Sequence, residues 1–126
     1  EALAKADYVS LHTPLAEETV SLVNADFISK LKPGAVIINT ARGPLLDEAA
    51  VSDALDQGSP LRKLYTDVLP VEPPSPENLL LGNPRAVVSP HVAWGTLQAR
   101  TRLIYTVVSN IEAYLDDKQV NRIEIL

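Results

Sequence analysis

Ala35-Val36-Ile37-Ile38-Asn39, running on into Thr40-Ala41-Arg42-Gly43-Pro44, is the stretch on which the fold turns. A strand with one wet face alternates apolar and polar residues. An unbroken β-branched run is what a strand shows when it lies inside a parallel sheet. Pro33-Gly34 stops the chain just before this run and Gly43-Pro44 turns it just after. The segment therefore reads as loop, buried strand, loop.

The same logic extends in both directions. Tyr8–Leu11 reads as a short buried strand. Residues 25–31 read as a helix with Asn24 as its N-cap, because a short polar side chain can accept from the first unpaired backbone N–H groups. Asp47 caps a second helix, Glu48–Gln57, whose Val51, Ala54 and Leu55 fall on one face and which Gly58 ends. Residues 64–68 and 86–89 read as two further strands. Residues 96–116 read as a long helix, with Ile104, Val107, Val108, Ile111 and Leu115 at helical spacing and assigned to the core. Strands alternating with helices imply an α/β fold with a parallel sheet. Between the last two strands lies a proline-rich loop, residues 69–84. A loop that long without structure of its own is often functional.

Composition narrows the classes. The chain has 126 residues, 46% of them apolar, enough for a real core. A net charge of −5 with both signs interspersed argues against a nucleic-acid partner. There is no cysteine, so disulfides and thiolate metal sites are excluded, and no other metal site is expected. No apolar run approaches the roughly 20 residues of a membrane span. No membrane partner is expected, and the expected location is the cytoplasm.

In an open parallel sheet, ligands bind beyond the carboxyl ends of the strands. After the first strand come His12-Thr13-Pro14, and after the second Thr40-Ala41-Arg42. After the third come Asp67 and, in the long loop, Glu72. After the fourth come Ser89-Pro90-His91. Parallel strands would gather these groups at one edge. An arginine offers a fork matched to a carboxylate. A histidine exchanges protons near neutral pH, and a neighbouring carboxylate stabilises its imidazolium. These are the groups that reduction of a 2-keto acid needs beside a hydride donor. His12 is read as offering backbone contacts.

Four motifs carry a resemblance. Ala6-Asp7-Tyr8-Val9-Ser10-Leu11-His12-Thr13-Pro14 with Glu18-Thr19, then Lys32-Pro33-Gly34-Ala35 leading to Ile38-Asn39-Thr40-Ala41-Arg42-Gly43, resemble D-isomer-specific 2-hydroxyacid dehydrogenases. So do Asp67-Val68 with Glu72-Pro73, and Pro90-His91 after a short strand. The run His91-Val92-Ala93-Trp94 is similar to the glycerate dehydrogenase (hydroxypyruvate reductase) branch, where Trp94 would wall the substrate pocket.

The resemblance implies that the chain is the C-terminal part of a Rossmann-type, doubly wound NAD(P)-binding domain ending in a long helix. It implies catalytic roles for Arg42, which would hold the substrate carboxylate, and His91, the general acid/base paired to Glu72. It implies cofactor contacts, with NAD or NADP, from Thr13, Pro14, Thr19, Thr40, Ala41 and Asp67, with Arg42 and His91 also beside the cofactor. The reaction implied is hydride transfer between NAD(P) and a small D-2-hydroxy or 2-keto acid, glycerate/hydroxypyruvate foremost, in an enzyme that is a homodimer at full length.

Two departures stand out. Arg62-Lys63-Leu64-Tyr65 occupies the place where the family has a Gly-Ala pair, and the interval from Gly58 to Asp67 is one residue longer than usual. No Gly-x-Gly-x-x-Gly turn lies within the 126 residues. The domain is therefore expected to be partial across 1–126, without the glycine-rich half or a substrate-binding domain, and the isolated polypeptide to turn over little. Two other readings stay open: a non-catalytic nucleotide-sensing module of the corepressor type, and an inactive truncated fragment.

Overall fold

The computed structural model describes residues 1–58 and 60–122. They divide into two compact units, Glu1–Val92 and Ala93–Leu126.

The first unit is built on four strands: β1 (Tyr8–Leu11), β2 (Ala35–Asn39), β3 (Leu61–Thr66) and β4 (Ala86–Val88). All pairings are parallel, and the spatial order β1-β2-β3-β4 follows the chain. The register brings Leu11, Asn39, Thr66 and Val88 side by side. The strands therefore end at a common rim, and whatever follows them is delivered to one edge.

Helices α1 (Ala25–Ser29) and α2 (Glu48–Gln57) lie between successive strands. Asn24 accepts from Phe27 N–H and Asp47 from Ala50 N–H, so both N-caps use the short polar side chain that the sequence offered. Gly58 closes α2 in the left-handed region at φ 74°. Ile28, Val51 and Leu55 from the helices join Leu11, Ile37, Leu61 and Leu64 of the sheet in one core cluster. In the neighbouring row across the sheet Ser10, Tyr65 and Val87 are exposed and Ile38 is half-buried. In this unit α1 and α2 thus cover one sheet face.

Three elements of this unit have boundaries that differ from the sequence expectation. Helix α1 ends at Ser29 rather than 31, where Ile28 and Phe27 carbonyls accept from the Lys30 N–H and the chain turns toward Pro33. Strand β4 ends at Val88 rather than 89. Strand β3 begins at Leu61 and ends at Thr66, three and two residues earlier than expected. Its partner register jumps from Ala35↔Leu61 to Val36↔Lys63, which leaves Arg62 as a bulge. The bulge falls on an exposed side chain, and the register is regular from Lys63 to Thr66.

The proline-rich loop lies along α2. Asn78 Nδ2 donates to Glu48 Oε1 (2.7 Å), Asn83 Nδ2 to Asp56 Oδ1 (2.9 Å) and Arg85 Nη1 to the Leu55 carbonyl (2.6 Å). Leu80 of this loop is fully buried. These ties give a long loop a defined path.

The second unit contains α3 (Leu97–Leu115), capped by Thr96, which accepts from Ala99 N–H. Here the core assignment is corrected. Ile104 is 63% exposed and Leu115 75%, with Val107, Val108 and Ile111 also exposed, and Ala113 is the buried residue of the helix. Helical spacing puts side chains on one stripe but does not say what the stripe meets.

Candidate active site at the carboxyl rim of the sheet

Asn39 ends β2 and is fully buried. Its Oδ1 accepts from Ala41 N–H (3.0 Å) and its Nδ2 donates to the Arg42 carbonyl (2.9 Å). A single amide thus shapes Thr40-Ala41-Arg42 into a fixed turn. Sequence reasoning quoted Asn39 within a motif and gave it no role. Its signal was a polar residue closing an apolar run. Gly43 follows, and a Cβ there would lie 2.0 Å from the Leu69 carbonyl carbon. Only a glycine lets the Arg42 turn approach the 69–70 backbone this closely.

At the end of β1, Thr19 Oγ1 accepts from Ala16 N–H (2.7 Å) and donates to the Pro14 carbonyl (2.9 Å). Its hydroxyl thereby fixes the 14–19 loop. His12 Nε2 lies 2.8 Å from Ser10 Oγ. His12, Thr13, Pro14, Leu15, Ala41 and Arg42 line one cavity of about 530 Å³. Thr40 is exposed at its margin of the sheet. Arg42 is exposed, and its Nη1 donates to the Ala41 carbonyl (2.7 Å).

At the end of β3, Asp67 is 5% exposed. Its N–H donates to the Asn39 carbonyl, which ties the β2 and β3 ends together. Its Oδ1 accepts from Ser89 Oγ and from Val92 N–H (2.9 Å).

Glu72 and His91 meet across the loop. The imidazole Nδ1 is 2.7 Å from Glu72 Oε2, while Oε1 accepts from Leu69 N–H (2.8 Å). The hydrogen bond from His91 holds the Glu72 carboxyl below its ordinary value, helped by the Leu69 N–H, against the opposing effects of desolvation and the nearby Asp67 charge. An ionised carboxylate can only accept, so Nδ1 carries the proton and donates it. Both side chains are partly open, 47% for His91 and 37% for Glu72. They line a second cavity of about 410 Å³, walled by Leu69, Pro73, Pro74, Leu81 and Val88 among others.

The structure therefore joins Glu72 to His91 directly, while Arg42 lies with Thr13, Pro14 and Ala41 in a separate cleft that shares no lining residue with the cavity of that pair. Trp94, assigned to the pocket wall, belongs to the second unit, where it is 59% exposed. Chemically, the loops after the strands offer a guanidinium in one cleft and a carboxylate-held imidazole in another. That set can bind an anion and move a proton.

Residues 1–93 match the model of the D-isomer-specific 2-hydroxyacid dehydrogenase NAD-binding domain. A putative 2-hydroxyacid dehydrogenase of Haemophilus influenzae is 44% identical over 119 residues, covering 91% of this chain and 38% of the relative. A glycerate dehydrogenase of Methylorubrum extorquens is 39% identical, covering 97% of this chain and 39% of the relative. Among solved structures, an acyclic imino acid reductase in complex with NADPH and D-arginine superposes with a TM-score of 0.84 at 36% identity, covering 97% of this chain and 38% of that one. The chain thus spans somewhat over a third of the length of the relatives it matches.

Proposed function

This chain belongs to the D-isomer-specific 2-hydroxyacid dehydrogenase family, and from that premise we propose that it supplies the acid/base and carboxylate-binding residues for interconversion of a small D-2-hydroxy acid and its 2-keto acid. The observation that carries the proposal is the 2.7 Å bond between His91 Nδ1 and Glu72 Oε2, at the rim where the Arg42 turn also ends.

The roles are those the resemblance implies, and the Glu72–His91 bond supports the acid/base one. With Nδ1 committed to Glu72, the imidazole exchanges its reacting proton through Nε2, giving it to the carbonyl oxygen in reduction and taking it from the hydroxyl in oxidation. Glu72 holds the ring through Nδ1. Arg42, freed from the Ala41 carbonyl, binds the substrate carboxylate through its fork. NAD or NADP, when bound, supplies or accepts the hydride. The lining of the cleft suits such a group: Pro14 and Ala41 would offer small apolar surface, and Thr13 and Arg42 polar groups. Thr13, Pro14, Thr19, Thr40, Ala41, Asp67, Arg42 and His91 are the residues assigned to cofactor contact. Thr19 contributes by fixing the loop that holds Pro14.

Hydroxypyruvate/glycerate is the proposed substrate pair, supported by the glycerate dehydrogenase relative and by a hydroxypyruvate reductase of Blautia hydrogenotrophica that is 38% identical. We assign residues 1–126 to part of an NAD(P)-binding domain that acts within a polypeptide of the relatives' length, as a homodimer in the cytoplasm. Among the described residues no helix is long and apolar enough to cross a membrane.

The test is hydroxypyruvate-dependent oxidation of NADH and NADPH, measured on such a polypeptide and on the 126-residue chain alone. Turnover is expected from the first and little from the second. A polypeptide that binds nucleotide yet reduces no 2-keto acid would instead favour a nucleotide-sensing module.

A further inference from the structure

We infer that Asp67 and Ser89 form a clamp that sets the His91 backbone and so aims its imidazole at Glu72, which makes both of them positioning residues for the acid/base step proposed above. The resemblance assigned Asp67 to the cofactor alone and gave Ser89 nothing.

His91 adopts φ 53°, the left-handed region. A non-glycine residue pays for that conformation and keeps it only where its surroundings over-determine it. The surroundings here come from the end of β3. Ser89 N–H donates to the Thr66 carbonyl and His91 N–H to the Asp67 carbonyl, both at 2.9 Å. The Asp67 side chain adds bonds on either side of His91, from Ser89 Oγ and from Val92 N–H, and both land on Oδ1. One carboxylate oxygen therefore grips the residues flanking the bent one. Asp67 is 5% exposed, so little water competes for these bonds. Turning His91 back to a right-handed or extended backbone would redirect its Cα–Cβ bond and carry Nδ1 away from Oε2.

The test reads the imidazole directly. In the full 126-residue chain with ¹⁵N-labelled histidine, the Nδ1–H proton held by Glu72 is followed by NMR in the wild type, Ser89→Ala, Ser89→Thr and Asp67→Asn. The signal is expected in the wild type and in Ser89→Thr, which keeps the hydroxyl. It is expected to be lost in Ser89→Ala and Asp67→Asn while core methyl signals such as those of Ile37 and Leu55 stay in place. An unchanged Nδ1–H signal in Ser89→Ala overturns the clamp, and because Ser89 is only half-buried that variant decides the matter even if Asp67→Asn fails to fold.

A kinetic arm separates positioning from cofactor contact. In the active polypeptide, Ser89→Ala is expected to lower kcat on the order of tenfold to a hundredfold, the scale of a misplaced reacting group, with KM for NADH unchanged. A raised KM for NADH with kcat unchanged overturns the proposal. If the wild type reduces no 2-keto acid, the dehydrogenase reading fails and the NMR comparison still decides the clamp.

Discussion

The imidazole Nδ1 of His91 and the Oε2 of Glu72 are 2.7 Å apart although 19 positions separate them in the chain. Glu72 is held in turn by the Leu69 N–H, so the carboxylate is oriented from both sides. Glu72→Gln keeps an acceptor near the ring and removes the charge. In the active polypeptide kcat is expected to fall about a hundredfold, the low end of what a positioned acid/base group contributes. KM for the nicotinamide cofactor should stay put. Steady-state kinetics on both substrates check this, and wild-type kcat in the variant would remove Glu72 from the mechanism.

Stability should record the same pair. The Glu72 carboxyl titrates below its ordinary value of 4.5 in the folded chain, first because His91 donates to it. A depressed acid binds fewer protons folded than unfolded, so its contribution is present above about pH 4.5 and is lost as pH falls through the lowered folded value. The difference in urea-unfolding free energy between wild type and Glu72→Gln should be level above that pH and shrink below it. A difference that grows on acidification would contradict the sign.

Gly43 sets how near the Arg42 turn comes to the loop that carries Glu72. A Cβ would lie 2.0 Å from Leu69 carbon and 2.3 Å from Pro70 nitrogen, both backbone atoms that cannot swing aside. Gly43→Ala should destabilise the chain by about 1–3 kcal/mol, the scale of overpacking. Denaturant midpoints measure this, and an unchanged midpoint would mean the two loops are not held together as described.

Two leucines of helices should respond in opposite ways. Leu55 is fully buried beneath the sheet, and Leu55→Ala should cost about 2–5 kcal/mol. Leu115 on α3 is 75% exposed, and Leu115→Ala should change stability by no more than about 0.5 kcal/mol. Parallel unfolding curves of the two variants make the comparison, and a large loss in Leu115→Ala would place that stripe in a core.

Local chemistry was readable from the residues alone. An unbroken apolar run at 35–38, a capping Asn24 and Asp47, and a terminating Gly58 act on their immediate neighbours, so the elements they specify are the ones observed. The gathering of Arg42, Asp67, Glu72 and His91 at one rim followed from parallel pairing, which delivers every strand end to the same side. Contacts between distant segments were decided only when the chain closed on itself. The bulge at Arg62 depends on how β3 docks against β2, and the grip of Asp67 on Ser89 and Val92 depends on two strand ends meeting. The exposure of the α3 stripe likewise answers to its surroundings rather than to its spacing. Periodicity and capping are properties of a few consecutive residues, whereas register, side-chain aim and burial are properties of the partner a segment meets.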